Sequence, residues 1–144
     1  MRCYAESSAV LAWLLGEDAG EDVRQLLIGA EDVFTSVLTL VETDRTLIRA
    51  QVVDNLTPVA VADRRRVLAR ASRRWHLVNV VEEILDRARR PFPGEPIRTL
   101  DALHLASALA VRAAIPELTV LSLDQRIRNA CVELGFDVLP GAHG

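Results

Sequence analysis

Lysine is absent from all 144 residues, so arginine supplies every one of the 17 basic side chains. A P-loop needs a lysine to reach its phosphates and a Schiff-base enzyme needs a reactive amine, and both classes are excluded. Aromatic residues make up only 4% of the chain. The two cysteines, Cys3 and Cys131, are too few and too far apart for a disulfide framework or a zinc cluster, which predicts reduced core thiols. No apolar run approaches the ~18 residues of a membrane helix. Glu6 places a carboxylate where a signal peptide needs its apolar segment, so a cytoplasmic address without membrane contact is expected. There is no internal repeat and no low-complexity segment.

What remains is 50% apolar and 26% charged, with a formal net charge of −3. A chain of this size supports one domain around one core, expected to span 1–144. The pattern alternates. Arg2 to Ala5 reads as a strand, and Ser7 and Ser8 are N-cap candidates for a helix carrying Val10, Leu11, Trp13, Leu14 and Leu15 up to Gly16. A second helix covers Glu21 to Leu27, and Val33 to Ser36 is a strand leading into a long helix that ends near Val53. Thr57 and Pro58 supply a cap and a first-turn proline for a helix ending near Arg74. Trp75 to Val80 is strand-like and Val81 to Arg90 helical, and the prolines at 91, 93 and 96 with Gly94 force a loop. Helix Thr99 to Ala114, strand Leu118 to Leu121, helix Gln125 to Leu134 and strand Phe136 to Leu139 complete the pattern. Strands separated by helices predict a three-layer α/β/α sandwich with a mainly parallel sheet.

Of the 20 acidic residues, Glu6, Glu42, Asp101 and Asp124 fall at the carboxyl ends of predicted strands or in the first turns of the helices that follow. In open α/β sheets that is where ligands bind, so the four can converge on one pocket. Glu42 and Asp101 also stand among leucines, valines and alanines, where a carboxylate is expensive to bury uncompensated. Clustered carboxylates resist ionisation unless a cation supplies the missing positive charge. All-oxygen donors without paired His or Cys favour Mg²⁺ or Mn²⁺ over zinc. Such ions orient and deprotonate water for phosphoryl transfer, which points to a phosphodiester substrate. Helix capping is the competing explanation for Glu6, Asp101 and Asp124, and it suits Glu42 less well.

The segments Tyr4-Ala5-Glu6-Ser7-Ser8-Ala9-Val10, Thr39-Leu40-Val41-Glu42, Thr99-Leu100-Asp101-Ala102-Leu103-His104-Leu105-Ala106-Ser107-Ala108 and Thr119-Val120-Leu121-Ser122-Leu123-Asp124 resemble, in order and spacing, the four acidic motifs of the PIN domain. The chain is most similar to the VapC-type toxins of type II toxin–antitoxin pairs, over residues 2 to 139. The resemblance implies an Mg²⁺- or Mn²⁺-dependent endoribonuclease that hydrolyses RNA phosphodiesters, forms a homodimer and is neutralised by a cognate VapB-type antitoxin. Glu6, Glu42, Asp101 and Asp124 take the family's four catalytic, metal-binding positions. Ser8 and Ser122 match its supporting hydroxyl residues, which orient water or carboxylate. One position departs from the pattern: Glu6 stands where the family most often has Asp, and the added methylene moves the carboxylate by about 1.5 Å. The alternative the departure raises is a PIN-like fold weakened in catalysis and serving as an RNA- or protein-binding module. A receiver domain needs a pocket lysine, and a haloacid-dehalogenase-like phosphatase needs an Asp-x-Asp pair after its first strand; this chain has neither.

His104, three residues after Asp101, shares its helix face and reads either as a general base or as a packed, hydrogen-bonded core residue. Six arginines at 64, 65, 66, 70, 73 and 74 form either a phosphate-binding stripe or a solvated helix face beside Asp63. Arg98, just before the third acidic motif, is the candidate for contact with the scissile RNA strand. Trp13 with Val10, Leu14, Leu26 and Leu27 forms core, or a groove for an antitoxin segment. His76 and His143 carry no motif.

Overall fold

A computed structural model of the chain describes residues 1–141; His143 lies outside the described residues. Five strands, β1 (Arg2–Ala5), β2 (Asp32–Ser36), β3 (His76–Val78), β4 (Thr119–Leu121) and β5 (Asp137–Leu139), form one sheet in the order β3-β2-β1-β4-β5. Every pairing is parallel, with Tyr4 opposite Phe34 on one side and Val120 on the other. The chain winds outward from β1 through β2 to β3 and then returns to lay β4 on the other edge of β1. That reversal puts a topological switch point between β1 and β4, where parallel sheets open a crevice at their carboxyl ends.

Alternation along β1 decides the two cores, because successive side chains leave a strand on opposite faces. Cys3 and Ala5 pack with Val33 and Leu121 against Ala9, Val10 and Leu14 of α1 (Ser7–Leu15), Val23 of α2 (Gly20–Gly29) and Leu68 of α4 (Pro58–Ser72). Leu40 of α3 (Val37–Val53) joins the same side. Tyr4 and Val120 turn the other way, into a core with Ile84 of α5 (Glu82–Ala88), Leu105 and Ala106 of α6 (Thr99–Ala114), and Ile127 and Cys131 of α7 (Gln125–Glu133). The predicted α/β/α layering is the observed one. Both cysteines are free and buried, and burial pushes each thiol up to about 12, so neither is a nucleophile at neutral pH.

Side-chain caps form at α3, α4 and α7, and α1, α2, α5 and α6 start without one. Ser36 accepts from Leu38 N at 3.0 Å, and Thr57 accepts from Ala60 N at 3.1 Å ahead of Pro58. At α1 the cap expected from the serines is not formed: Ser7 and Ser8 lie inside the helix, and Glu6 takes the cap position without a side-chain cap bond. The two serines turn their hydroxyls toward carboxylates instead. The strand expected over Trp75 to Val80 is shorter, His76–Val78. Glu95 organises the proline loop by accepting from Phe92 N (2.9 Å) and Ile97 N (2.7 Å), and the loop hands the chain to α6. Among the described residues no helix is long and apolar enough to cross a membrane.

Candidate active site

The end of β1 delivers Glu6 into the crevice, and the side chain is buried, with 4% of its surface exposed. Its Oε1 accepts from Ser7 Oγ at 2.9 Å, and its Oε2 accepts from Ser122 Oγ at 2.8 Å and from the hydroxyl of Ser8. A hydrogen bond to a charged group is worth about 1.5–3 kcal/mol. Such bonds offset part of the several kcal/mol it costs to bury a carboxylate. The side-chain donors that reach Glu6 are all hydroxyls. Ser8 also accepts from Leu123 N (2.9 Å) and Asp124 N (3.2 Å), and Ser122 Oγ accepts from Asp124 N (3.1 Å). These bonds tie the start of α1 to the end of β4. The predicted supporting hydroxyls, Ser8 and Ser122, both lie against Glu6; Ser7, read from sequence as a cap, joins them.

Asp124 is the N-cap of α7, its Oδ1 accepting from Arg126 N (3.0 Å) and Ile127 N (3.1 Å). The capping explanation thus holds for one of its oxygens and leaves the other free for the crevice. Arg128 on α7 donates to Ser122 O at 2.7 Å and keeps the β4 end closed onto that helix. Glu42, on the second turn of α3, is bound at both oxygens. Its Oε1 lies 2.6 Å from His104 Nε2, and its Oε2 accepts from Ser7 Oγ at 3.0 Å. His104 is 1% exposed, as a packed residue should be, and its Nδ1 lies 2.8 Å from the Tyr4 hydroxyl.

Asp101, on the first turn of α6, has neither a hydrogen bond nor an ion pair among the described residues. Burial pushes its carboxyl above the usual range, and Asp124, Glu6 and Glu42 each push it further up, against a weaker opposing pull from His104. The four predicted carboxylates therefore share one field, and the field is uncompensated at Asp101. With Asp124, Gln125, Arg98 and Arg126, Asp101 lines an open cavity of about 330 Å³. Arg98 lines it just ahead of α6, and Arg126 lines it from the first turn of α7. Both arginines are exposed, and their side chains pair with nothing among the described residues. Sequence reasoning missed Arg126, although its place two residues after the last acidic motif was a usable signal. The stripe on α4 is partly spoken for: Arg65 pairs with Asp44 (3.1 Å) and Arg66 lies 3.7 Å from Asp63, so these two belong to a solvated face.

Among the described residues no three His, Cys, Asp or Glu side chains stand close enough to form a finished metal-ligand set. The chemistry of the donors nevertheless fits a hard divalent cation: anionic oxygen, neutral hydroxyls, no thiolate, and an excess of negative charge at Asp101.

The PIN domain family model matches residues 3–133. The chain belongs to the PIN domain family. Two ribonucleases of Mycobacterium tuberculosis are each 30% identical to it: VapC35, over 98% of this chain and 89% of the relative, and VapC46, over 94% and 95%. Its fold is also that of the Klebsiella pneumoniae toxin–antitoxin complex, at TM-score 0.65 and 14% identity over 96% of both chains. The Mycobacterium tuberculosis Sarcin-Ricin loop cleaving toxin VapC20 matches with TM-score 0.65 at 16% identity, over 93% of this chain and 95% of that one. Membership agrees with the family resemblance read from the sequence.

The raised carboxyl of Asp101 has a consequence for stability. The folded state holds this proton to a higher pH than the unfolded chain does, so the unfolded state binds fewer protons and stability falls as pH rises through that range. Asp101→Asn is expected to raise the melting temperature of the metal-free protein at pH 7. That gain should vanish as the pH falls below about 4, where the unfolded chain also holds the proton. Paired thermal melts at the two pH values check it; a lower melting temperature at pH 7 would refute it.

Proposed function

We propose that this PIN domain is a VapC-type toxin: a Mg²⁺- or Mn²⁺-dependent endoribonuclease that hydrolyses RNA phosphodiesters in the cytoplasm and is silenced by a cognate VapB-type antitoxin. The observation that carries the reading is the uncompensated carboxylate field around Asp101, at the switch point of a PIN fold. Asp101 and Asp124 at the open cavity, with Glu6 and Glu42 behind them, are the residues to hold the cation, which when bound supplies charge for activating a water and steadying the leaving oxygen. Ser7, Ser8 and Ser122 surround the Glu6 carboxylate, which supports a role for it despite the added methylene. Ser122 and Ser8 also link that carboxylate to the backbone of Asp124.

Arg98 and Arg126 stand on either side of the carboxylate cavity and bring positive charge to a mouth whose floor is negative. They are placed to take the phosphates flanking the scissile bond, which positions the strand without reading its bases. A separate groove of about 430 Å³, lined by Trp13, Leu27, Ile28 and Trp75 with Arg24, Glu31 and Arg74 at its edge, is the apolar surface offered to an antitoxin segment. Exposed Val41, Ile48 and Val52 along α3 supply an apolar face for a homodimer.

Purified, antitoxin-free protein is expected to cleave structured RNA with Mg²⁺ or Mn²⁺, to stop with EDTA, and to lose at least 100-fold in rate as Asp101→Asn or Asp124→Asn, the scale of removing a group that stabilises the transition state. RNA binding without cleavage under either metal would overturn the nuclease reading in favour of a binding module. Arg98→Ala and Arg126→Ala are each expected to weaken binding across sequences. Each should flatten the slope of log affinity against log salt by about 0.7 for single-stranded RNA. A salt titration that leaves the slope unchanged removes that arginine from the phosphate path.

A further inference from the structure

A chain of buried polar contacts runs from the inner core to Glu42. Tyr4 is 1% exposed on the face of β1 opposite Cys3 and Ala5, and its hydroxyl meets His104 Nδ1 at 2.8 Å. The far side of the ring, Nε2, lies 2.6 Å from Glu42 Oε1. A carboxylate can only accept, so Nε2 carries the hydrogen; in the neutral ring Nδ1 is then the acceptor and the Tyr4 O–H is the donor. Burial, with Glu6 and Glu42 nearby, pushes the Tyr4 hydroxyl above its ordinary pKa, against an opposing pull from hydrogen bonds to Ser107 and the Ser36 backbone.

Glu42 depends on this arrangement more than the count of its bonds suggests. Its other partner, Ser7 Oγ, lies 3.0 Å from Glu42 Oε2 and 2.9 Å from Glu6 Oε1. One hydroxyl has one proton and can donate to only one of the two carboxylates at a time. His104 is the donor that belongs to Glu42 alone. The Glu42 side chain is 24% exposed on a helix surface, so without that bond its rotamers are free to swing toward water.

We propose that Tyr4 and His104 are positioning residues: the Tyr4 hydroxyl fixes His104 as the Nε2–H tautomer, and that tautomer holds Glu42 turned in toward Glu6 and Asp101. The effects on cleavage and on cation binding rest on the metal-dependent reading, whereas the tautomer does not. Outer partners of ligating carboxylates and histidines typically matter by 10–100-fold in metal affinity or activity. Packing alone makes the opposite forecast, since leucine fills the imidazole space as well as any residue and glutamine brings an amide into a core.

The test uses the purified full chain. In ¹⁵N NMR of the metal-free protein, His104 should show the Nε2–H signature in the wild type and a mixture of tautomers in Tyr4→Phe. Mn²⁺ affinity, followed by electron paramagnetic resonance of the free ion, should fall about tenfold in Tyr4→Phe and 10–100-fold in His104→Leu. His104→Gln keeps a side-chain N–H for Glu42 and should recover most of that loss. Circular dichroism melts establish that each variant is folded, and Tyr4→Phe, which removes one oxygen atom, keeps the test open if the His104 variants do not fold. The proposal is overturned if folded His104→Leu binds Mn²⁺ like the wild type, if glutamine is no better than leucine, or if Tyr4→Phe changes neither tautomer nor affinity. Should the ordering hold while no variant, nor the wild type, cuts RNA, the positioning role stands and the nuclease reading falls. Wild type and His104→Leu cutting equally well would give the reverse.

Discussion

A buried carboxylate has to be compensated, and how that is done at Glu6 organises the carboxyl end of the sheet. Three serine hydroxyls from two segments that are 115 residues apart converge on it, Ser7 and Ser8 from α1 and Ser122 from the β4 end. Two of them, Ser8 and Ser122, also accept the backbone amides of Leu123 and Asp124, so the serines that bond Glu6 also help to place Asp124. Parallel pairing of β1 with β4 is the precondition, because it brings Ala5 beside Leu121 and hence Glu6 beside Ser122. Hydroxyl donors reach Glu6, whereas none reaches Asp101, whose carboxyl is raised by burial and by three other acids.

The two faces of β1 divide the labour. Cys3 and Ala5 pack inward on the α1 side and do nothing chemical, while Tyr4 on the other face begins the hydrogen-bonded chain to His104 and Glu42. Period-two alternation, which serves core packing elsewhere in the sheet, here decides which residue can reach the site from beneath. Glu42 and Glu6 are held by different means, a buried imidazole for the one and hydroxyls for the other, and Ser7 stands within reach of both.

Much of this was legible in the residues. Hydrophobic periodicity and the punctuation of Gly16, Thr57-Pro58 and the Pro91 to Pro96 loop locate the elements, and the positions of Glu6 and Asp124 after strands and of Glu42 and Asp101 in the early turns of helices follow from them. Partners were not legible. That Ser7 bonds carboxylates instead of capping α1, that His104 holds Glu42 across 62 residues, and that Arg126 shares a cavity with Arg98 all depend on strand order, and in particular on β4 returning to the side of β1. Local propensity carries no information about that return. The capping explanation for Asp124 shows the opposite case, where a local rule was right and incomplete, since one carboxylate oxygen caps α7 and the other remains for the cavity.

The central claim is that the carboxylate field at the switch point is a divalent-cation site, and proton release on binding probes it most directly. A cation that satisfies Asp101 must displace the proton its raised carboxyl retains in mildly acid solution. Calorimetric titration of the metal-free protein with Mn²⁺ at a series of pH values, in two buffers of different ionisation enthalpy, is expected to show saturable binding with proton release that grows as the pH is lowered. That release should be smaller in Asp101→Asn. Saturable binding with no proton released at the lower pH values, or no saturable binding at all, would contradict the claim.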